Sequence, residues 1–99
     1  MSEQEFMQEK AAEAAALLHT IGNPHRLLIL CLLIKHGELT VGGMLDYVDL
    51  SQSALSQHLA KMRDAGLVSF RRESQTLYYC IKNPAVKKIV ATLESIYCP

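Results

Sequence analysis

Three cysteines and four histidines are the side chains of this 99-residue sequence with the most varied chemistry near neutral pH. Cys31 lies inside the apolar run "LLILCLLIKH", Cys80 in "YYCIKN" and Cys98 in the closing "SIYCP". The thiolate is the reactive form of cysteine, and a helix N-terminus or a cluster of cations is what favours it. Cys98 falls at the opposite end of a helical stretch, where the dipole opposes ionisation. Cys31 has only Lys35 a turn away. A thiol peroxidase or sulfurtransferase also needs an anion cradle, and none is visible. No catalytic residue is assigned, and the sequence reads as a non-enzyme. A free cysteine in an apolar run is often just a small core residue, which would account for Cys31 taken alone. Cys98 is harder to explain that way, because terminal residues rarely fill a core. If the last helix packs back on the buried second one, Cys31 and Cys98 approach each other. Cys80 is read as incidental.

Metal chemistry needs several ligands converging from fixed spacings. His19, His25, His36 and His58 are scattered, "TVGGMLDYV" carries no cysteine, and the last helix has Glu94 as its one acid and no histidine. No metal site and no cofactor are expected. A capping, surface or backbone-contact role outweighs ligation for each histidine, and His58 is read as a supporting phosphate contact.

The elements that must position these residues can be read from periodicity and caps. From roughly Glu3 to Ile21 apolar side chains recur at Met7, Ala11, Ala14, Leu18 and Ile21, the three-and-four spacing of one helical face. Gly22 ends that helix. Asn23-Pro24 is a cap followed by proline at the first helical position, where its missing N–H costs nothing. The helix it opens is apolar nearly all round and belongs at the centre of the fold; Gly37 closes it. Glu38-Leu39 is a short link with room for a strand pair, and Thr40 caps a third helix to about Val48. Ser51 caps a fourth with Leu55, Leu59 and Met62 inward, ended by Gly66 in a left-handed conformation. "LVSFRRESQTLYYCI" reads as two strands joined through Glu73-Ser74-Gln75, with Leu77, Tyr79 and Ile81 on one face and Tyr78 and Cys80 on the other. Asn83-Pro84 then opens a last helix with Val86, Ile89, Val90, Leu93 and Ile96/Tyr97 on one side. The order is ααααββα, mainly helical with a hairpin, in one domain spanning 1–99.

Two short helices with a tight turn, followed by a basic hairpin, make a winged helix-turn-helix. The outward face of the second of them presents Gln52, Ser53, Ser56, Gln57 and Lys61, polar and almost free of acid. Amides and hydroxyls of that kind reach base edges in a major groove, while lysine suits phosphate. Arg71 and Arg72 sit near the hairpin tip, placed for backbone or minor-groove contact. Formal net charge is zero, yet residues 1–13 carry four glutamates against Lys10, and residues 51–72 carry one lysine and three arginines against Asp64. A neutral chain with such a local basic region still binds a polyanion.

"NPHRLLIL", "LSQSALSQHLAKMRDAGLV" and "YYCIKN" together resemble the ArsR family of bacterial winged-helix repressors, over almost the whole chain. The sub-pattern "LSQSALSQHL", the cysteine in "ILCLL" and the ending "YCP" are similar to its thiol-based, sulfide-responsive branch. The resemblance implies a homodimer through the first and last helices and double-stranded operator DNA with an inverted repeat. It also implies a reactive sulfur species as the signal, sensed by Cys31 and Cys98 as a redox pair. General oxidant sensing, metal sensing and a redox-insensitive regulator remain the alternatives. Gly43 departs from the family, which often has an acid there. An odd cysteine count without a secretory leader points to a reducing compartment, and the apolar run Leu27–Ile34 is too short to span a bilayer. The expectation is a cytoplasmic protein with no membrane partner.

Overall fold

The structure, a computed structural model, describes residues 2–98. Alanine, glutamate and leucine are strong helix formers, and they dominate the N-terminal segment. There α1 (Glu3–Glu5), a π-helical turn over Phe6–Lys10 and α2 (Ala11–Ile21) run on as one N-terminal rod. The Ser2 hydroxyl caps its start by accepting from the Glu5 N–H. The chain then bends by 90° into α3 (Pro24–His36), whose first turn is held by the Asn23 side chain accepting from the His25 and Arg26 N–H groups. Ile29, Leu30 and Leu33 of α3 are almost wholly buried, and Gly37 ends the helix at φ 82°, a conformation that favours glycine.

The link after α3 does form a strand, β1 (Leu39–Thr40), before the short α4 (Val41–Leu45). Thr40 caps α4 as expected, its hydroxyl accepting from the Gly43 N–H at 2.9 Å. The helix stops at Leu45 rather than near Val48. The Tyr47 and Val48 N–H groups both turn back onto the Met44 carbonyl, which closes the segment as a turn. Ser51 caps α5 (Gln52–Asp64) through the Ala54 N–H, and Gly66 follows in the left-handed region at φ 78°. Strands β2 (Val68–Glu73) and β3 (Thr76–Ile81) form the hairpin, and α6 (Pro84–Tyr97) ends the fold from its Asn83 cap.

The sheet has the order β1-β3-β2, so the expected two-stranded wing is three-stranded. Register runs from Val68↔Ile81 to Glu73↔Thr76 on one side of β3, and pairs Leu39 with Tyr79 on the other. The core joins α3, α4, α5, α6 and the base of the wing: Ile29, Leu30, Leu33, Met44, Leu55, Leu59, Met62, Val68, Val86 and Val90 are buried together. Each such side chain contributes roughly 1.5–3 kcal/mol by leaving water.

Two expected stripes are only partly covered. In the N-terminal rod Ile21 is buried, whereas Met7 is 65% and Leu18 57% exposed. In α6 Val86 and Val90 are buried, whereas Ile96 and Tyr97 are 61% and 79% exposed. These side chains stand on faces that no other element of a single described chain covers. No single helix among the described residues is long and apolar enough to cross a membrane.

Candidate nucleic-acid interface and thiol site

Helix α5 is sided by its own periodicity. Leu55, Leu59 and Met62 have no exposed surface, while Gln52, Ser53, Ser56, Gln57 and Lys61 face solvent. The inward leucines fix the roll of the helix, so the outward amides and hydroxyls form one ridge. That is the surface expected from the sequence. The first residue of the ridge, Gln52, also lines a shallow cleft of about 400 Å³ with Thr40, Gly42, Gln75 and Thr76. The cleft places the hairpin turn beside the start of α5. Gln75 had been read only as a turn residue, because its neighbour across the cleft is far away in the chain.

His58 differs from its neighbours on the ridge. It is half-buried and its Nδ1 accepts a hydrogen bond from the Arg26 Nε at 3.3 Å. Its ring lies 5.6 Å from that of His25. Burial, and then the charges of Arg26, His25 and Lys61, hold its pKa below the ordinary histidine value. One imidazole nitrogen is therefore engaged within the protein, and a phosphate contact of the kind expected from the sequence would have to come from the other. Its Nε2 carries the proton. Arg26 was missed as a site residue because its partner lies on another helix.

The two wing arginines are not equivalent. Arg71 Nε and Nη2 donate to the two carboxylate oxygens of Glu38 at 3.1 and 2.7 Å, and Nη1 donates to Glu73 at 2.9 Å. The guanidinium also lies over the Tyr78 ring, 4.3 Å from its centroid. Its hydrogen bonds hold the Glu38 carboxyl below the usual carboxylate range. Arg71, expected from the sequence to contact DNA backbone or minor groove, is thus paired with two carboxylates in the free chain. Arg72 is exposed and has no ion pair among the described residues. At the other end of α5 the Arg63 guanidinium covers the Phe70 ring at 5.0 Å, fastening the helix to the wing.

The thiols fall in three environments. Cys31 is half-buried on α3, and burial followed by the Glu94 charge pushes its pKa up. Cys98 is exposed at the end of α6, with its N–H donating to the Glu94 carbonyl at 2.7 Å. That bond is the last intrahelical bond of α6, closing the helix at Cys98. Cys80 is half-buried in the sheet, 3.5 Å from the Ser69 hydroxyl. No group of three metal-ligating side chains converges among the described residues.

A sided helix following a short helix and turn, with a three-stranded wing at its flank, defines a winged helix-turn-helix protein. The sequence profile described as bacterial regulatory protein, arsR family, matches residues 23–69, from the α3 cap to the start of the wing. Over all 99 residues, and the full length of both proteins, the chain is 48% identical to the HTH-type transcriptional regulator YgaV of Escherichia coli K12. The reduced form of HlyU from Vibrio cholerae superposes with TM-score 0.87 at 43% identity, over 96% of this chain and 99% of that one. The transcriptional repressor BigR from Xylella fastidiosa does so with TM-score 0.89 at 33% identity, over 99% of each chain. The chain belongs to the ArsR family of DNA-binding transcriptional regulators.

Proposed function

We propose that this chain is a dimeric repressor that leaves its operator when Cys31 and Cys98 become linked through sulfur. The observation that carries the thiol part is that α6, capped by Cys98, packs on α3, which carries Cys31. A bridge between these thiols joins two helices that are already in contact. A solved relative described as reduced is consistent with a redox-active thiol in this fold.

The residues favour a bridge with added sulfur. A direct disulfide requires alpha-carbons within about 7 Å and a narrow dihedral range. Each inserted sulfur extends the reach by about 2 Å. Each thiolate displaces one hydrosulfide from an inorganic polysulfide, and the remaining sulfur atoms stay between the two cysteines. Electrons balance because the polysulfide is the oxidant. The bridge ties the exposed end of α6 to the core helix.

Dimerisation is supported by the apolar side chains that one copy leaves open, Met7 and Leu18 on the N-terminal rod and Ile96 and Tyr97 on α6. A two-fold dimer through these helices presents two copies of α5 about one DNA turn apart, which suits an inverted repeat. Gln52, Ser53, Ser56 and Gln57 read bases, while Lys61 and Arg72 hold phosphate. A coupling of roughly 1–3 kcal/mol between bridge and DNA lowers affinity about 5- to 150-fold. The test is intact-mass spectrometry after polysulfide or peroxide, paired with DNA binding of each product. DNA release without a Cys31–Cys98 link of either kind overturns the thiol reading.

A further inference from the structure

The contact between Arg26 and His58 joins two parts of the molecule that are remote in sequence. Arg26 is part-buried near the start of α3 and uses three different atoms. Its backbone N–H donates to the Asn23 side chain at 3.2 Å, its Nη1 to the Thr20 carbonyl at 3.3 Å, and its Nε to His58 Nδ1 at 3.3 Å. Thr20 lies in the last turn of the N-terminal rod, and His58 lies in the middle of α5, next to Gln57. One guanidinium thereby spans the rod, the core helix and the base-reading helix.

We infer that Arg26 is a positioning residue for DNA recognition, locking the Nε2–H tautomer of His58 and setting the seat of α5 against the N-terminal rod. This rests on the DNA-binding reading of α5. The planar fork of arginine suits the task, since its donors keep fixed relative directions that a lysine ammonium does not reproduce. A histidine whose Nδ1 accepts a hydrogen bond must carry its proton on Nε2. The charged and titratable groups facing His58 are Arg26 and His25 from α3 and Lys61 from α5 itself. All three oppose its protonation, so the bond from Arg26 is kept through neutral pH. Arg26 thus couples the rod to the reading ridge.

The test compares wild type, Arg26→Lys, Arg26→Gln, His58→Ala and the double variant Arg26→Gln/His58→Ala. Imidazole nitrogen NMR on the free protein reports the tautomer. Binding is measured to a duplex selected from random DNA by the wild type and to an unselected duplex. Arg26→Lys keeps the charge but should release the tautomer lock and weaken selected-duplex binding by roughly 3- to 12-fold, about the effect of one net hydrogen bond, leaving unselected binding in place. Arg26→Gln should also raise the His58 titration midpoint, because a cation and the bond to the neutral ring are both lost. The double variant should bind no worse than the weaker single one. An unchanged His58 tautomer in both Arg26 variants, or additive losses in the double variant, overturns the inference. Should the Arg26 variants fail to fold, His58→Ala alone decides: wild-type discrimination between the two duplexes overturns it. If the wild type selects no duplex, the reading of α5 fails, while the tautomer measurement still judges the Arg26–His58 lock.

Discussion

Arg71 and Glu38 meet through two nearly parallel hydrogen bonds, Nε to Oε2 at 3.1 Å and Nη2 to Oε1 at 2.7 Å. The pair fastens the wing to the residue just before β1, and Glu73 adds a third bond. In water a paired, exposed guanidinium of this kind contributes little to stability. Its effect is on what the wing offers to DNA. Arg72→Ala should weaken all duplexes alike and reduce the salt slope by about one phosphate contact. Arg71→Ala should change the slope less. Glu38→Gln, which leaves Arg71 with Glu73 as its one carboxylate partner among the described residues, should raise unselected DNA affinity and steepen the salt dependence. Binding titrations between about 50 and 200 mM salt read all three, and equal effects of Arg71→Ala and Arg72→Ala would contradict this ordering.

Gln57 stands on the exposed ridge of α5, beside the anchored His58. Gln57→Ala should cost roughly 1–3 kcal/mol toward the preferred duplex if its amide makes a two-bond contact to a base. Thermal stability should be unaffected, since the side chain is exposed. Competition between the preferred duplex and single-base variants measures the discrimination; no change would move the reading face away from Gln57.

Leu18 is a sharper probe of the dimer than the smaller, half-buried Ala14 one turn earlier, because 57% of it is exposed in a single copy. Leu18→Glu should leave each chain folded yet place two buried carboxylates at a two-fold contact. Monomers with much weaker operator binding are expected in sedimentation at micromolar concentration. A wild type that sediments as a monomer there would show the rod serves another purpose.

Cys31→Ser and Cys98→Ser should keep DNA binding but lose release by polysulfide, and Cys80→Ser should respond like wild type. Glu94→Gln provides a pH test with a definite sign. Burial and the Glu94 charge both raise the Cys31 pKa, so removing the charge lowers it. More thiolate is then present at any pH below the midpoint, and alkylation of Cys31 by iodoacetamide at pH 8 should speed up. A slower or unchanged rate would mean that Glu94 is not a neighbour of the thiol in solution.

Much of the fold was legible because its signals are local. Asn23, Thr40, Ser51 and Asn83 each cap the helix they were expected to cap, and Leu55, Leu59 and Met62 face inward as their spacing requires. The misses arise between distant segments. Leu39 pairs with Tyr79, a contact that depends on how α3 and the wing converge and leaves no periodic trace. The clamp on Arg71 depends on Glu38, on the far side of α5 in sequence, so two adjacent arginines that look alike behave differently. His58 borders the inward face of α5 by helical phase, and only the folded chain brings Arg26 beside it.

The sheet order β1-β3-β2 leaves β2 at an open edge. A strand with one unpaired row of N–H and C=O groups is a template on which another chain can add, and edges of this kind are protected by charge. The outer half of β2 is Arg71-Arg72-Glu73, all exposed. The hairpin turn beyond it holds Ser74 at φ 58°, so the edge ends in a tight corner. The wing thus carries its own guard against sticking to copies of itself. Removing both arginines to silence DNA binding would also bare that edge, and would trade a regulator that cannot bind for one that aggregates.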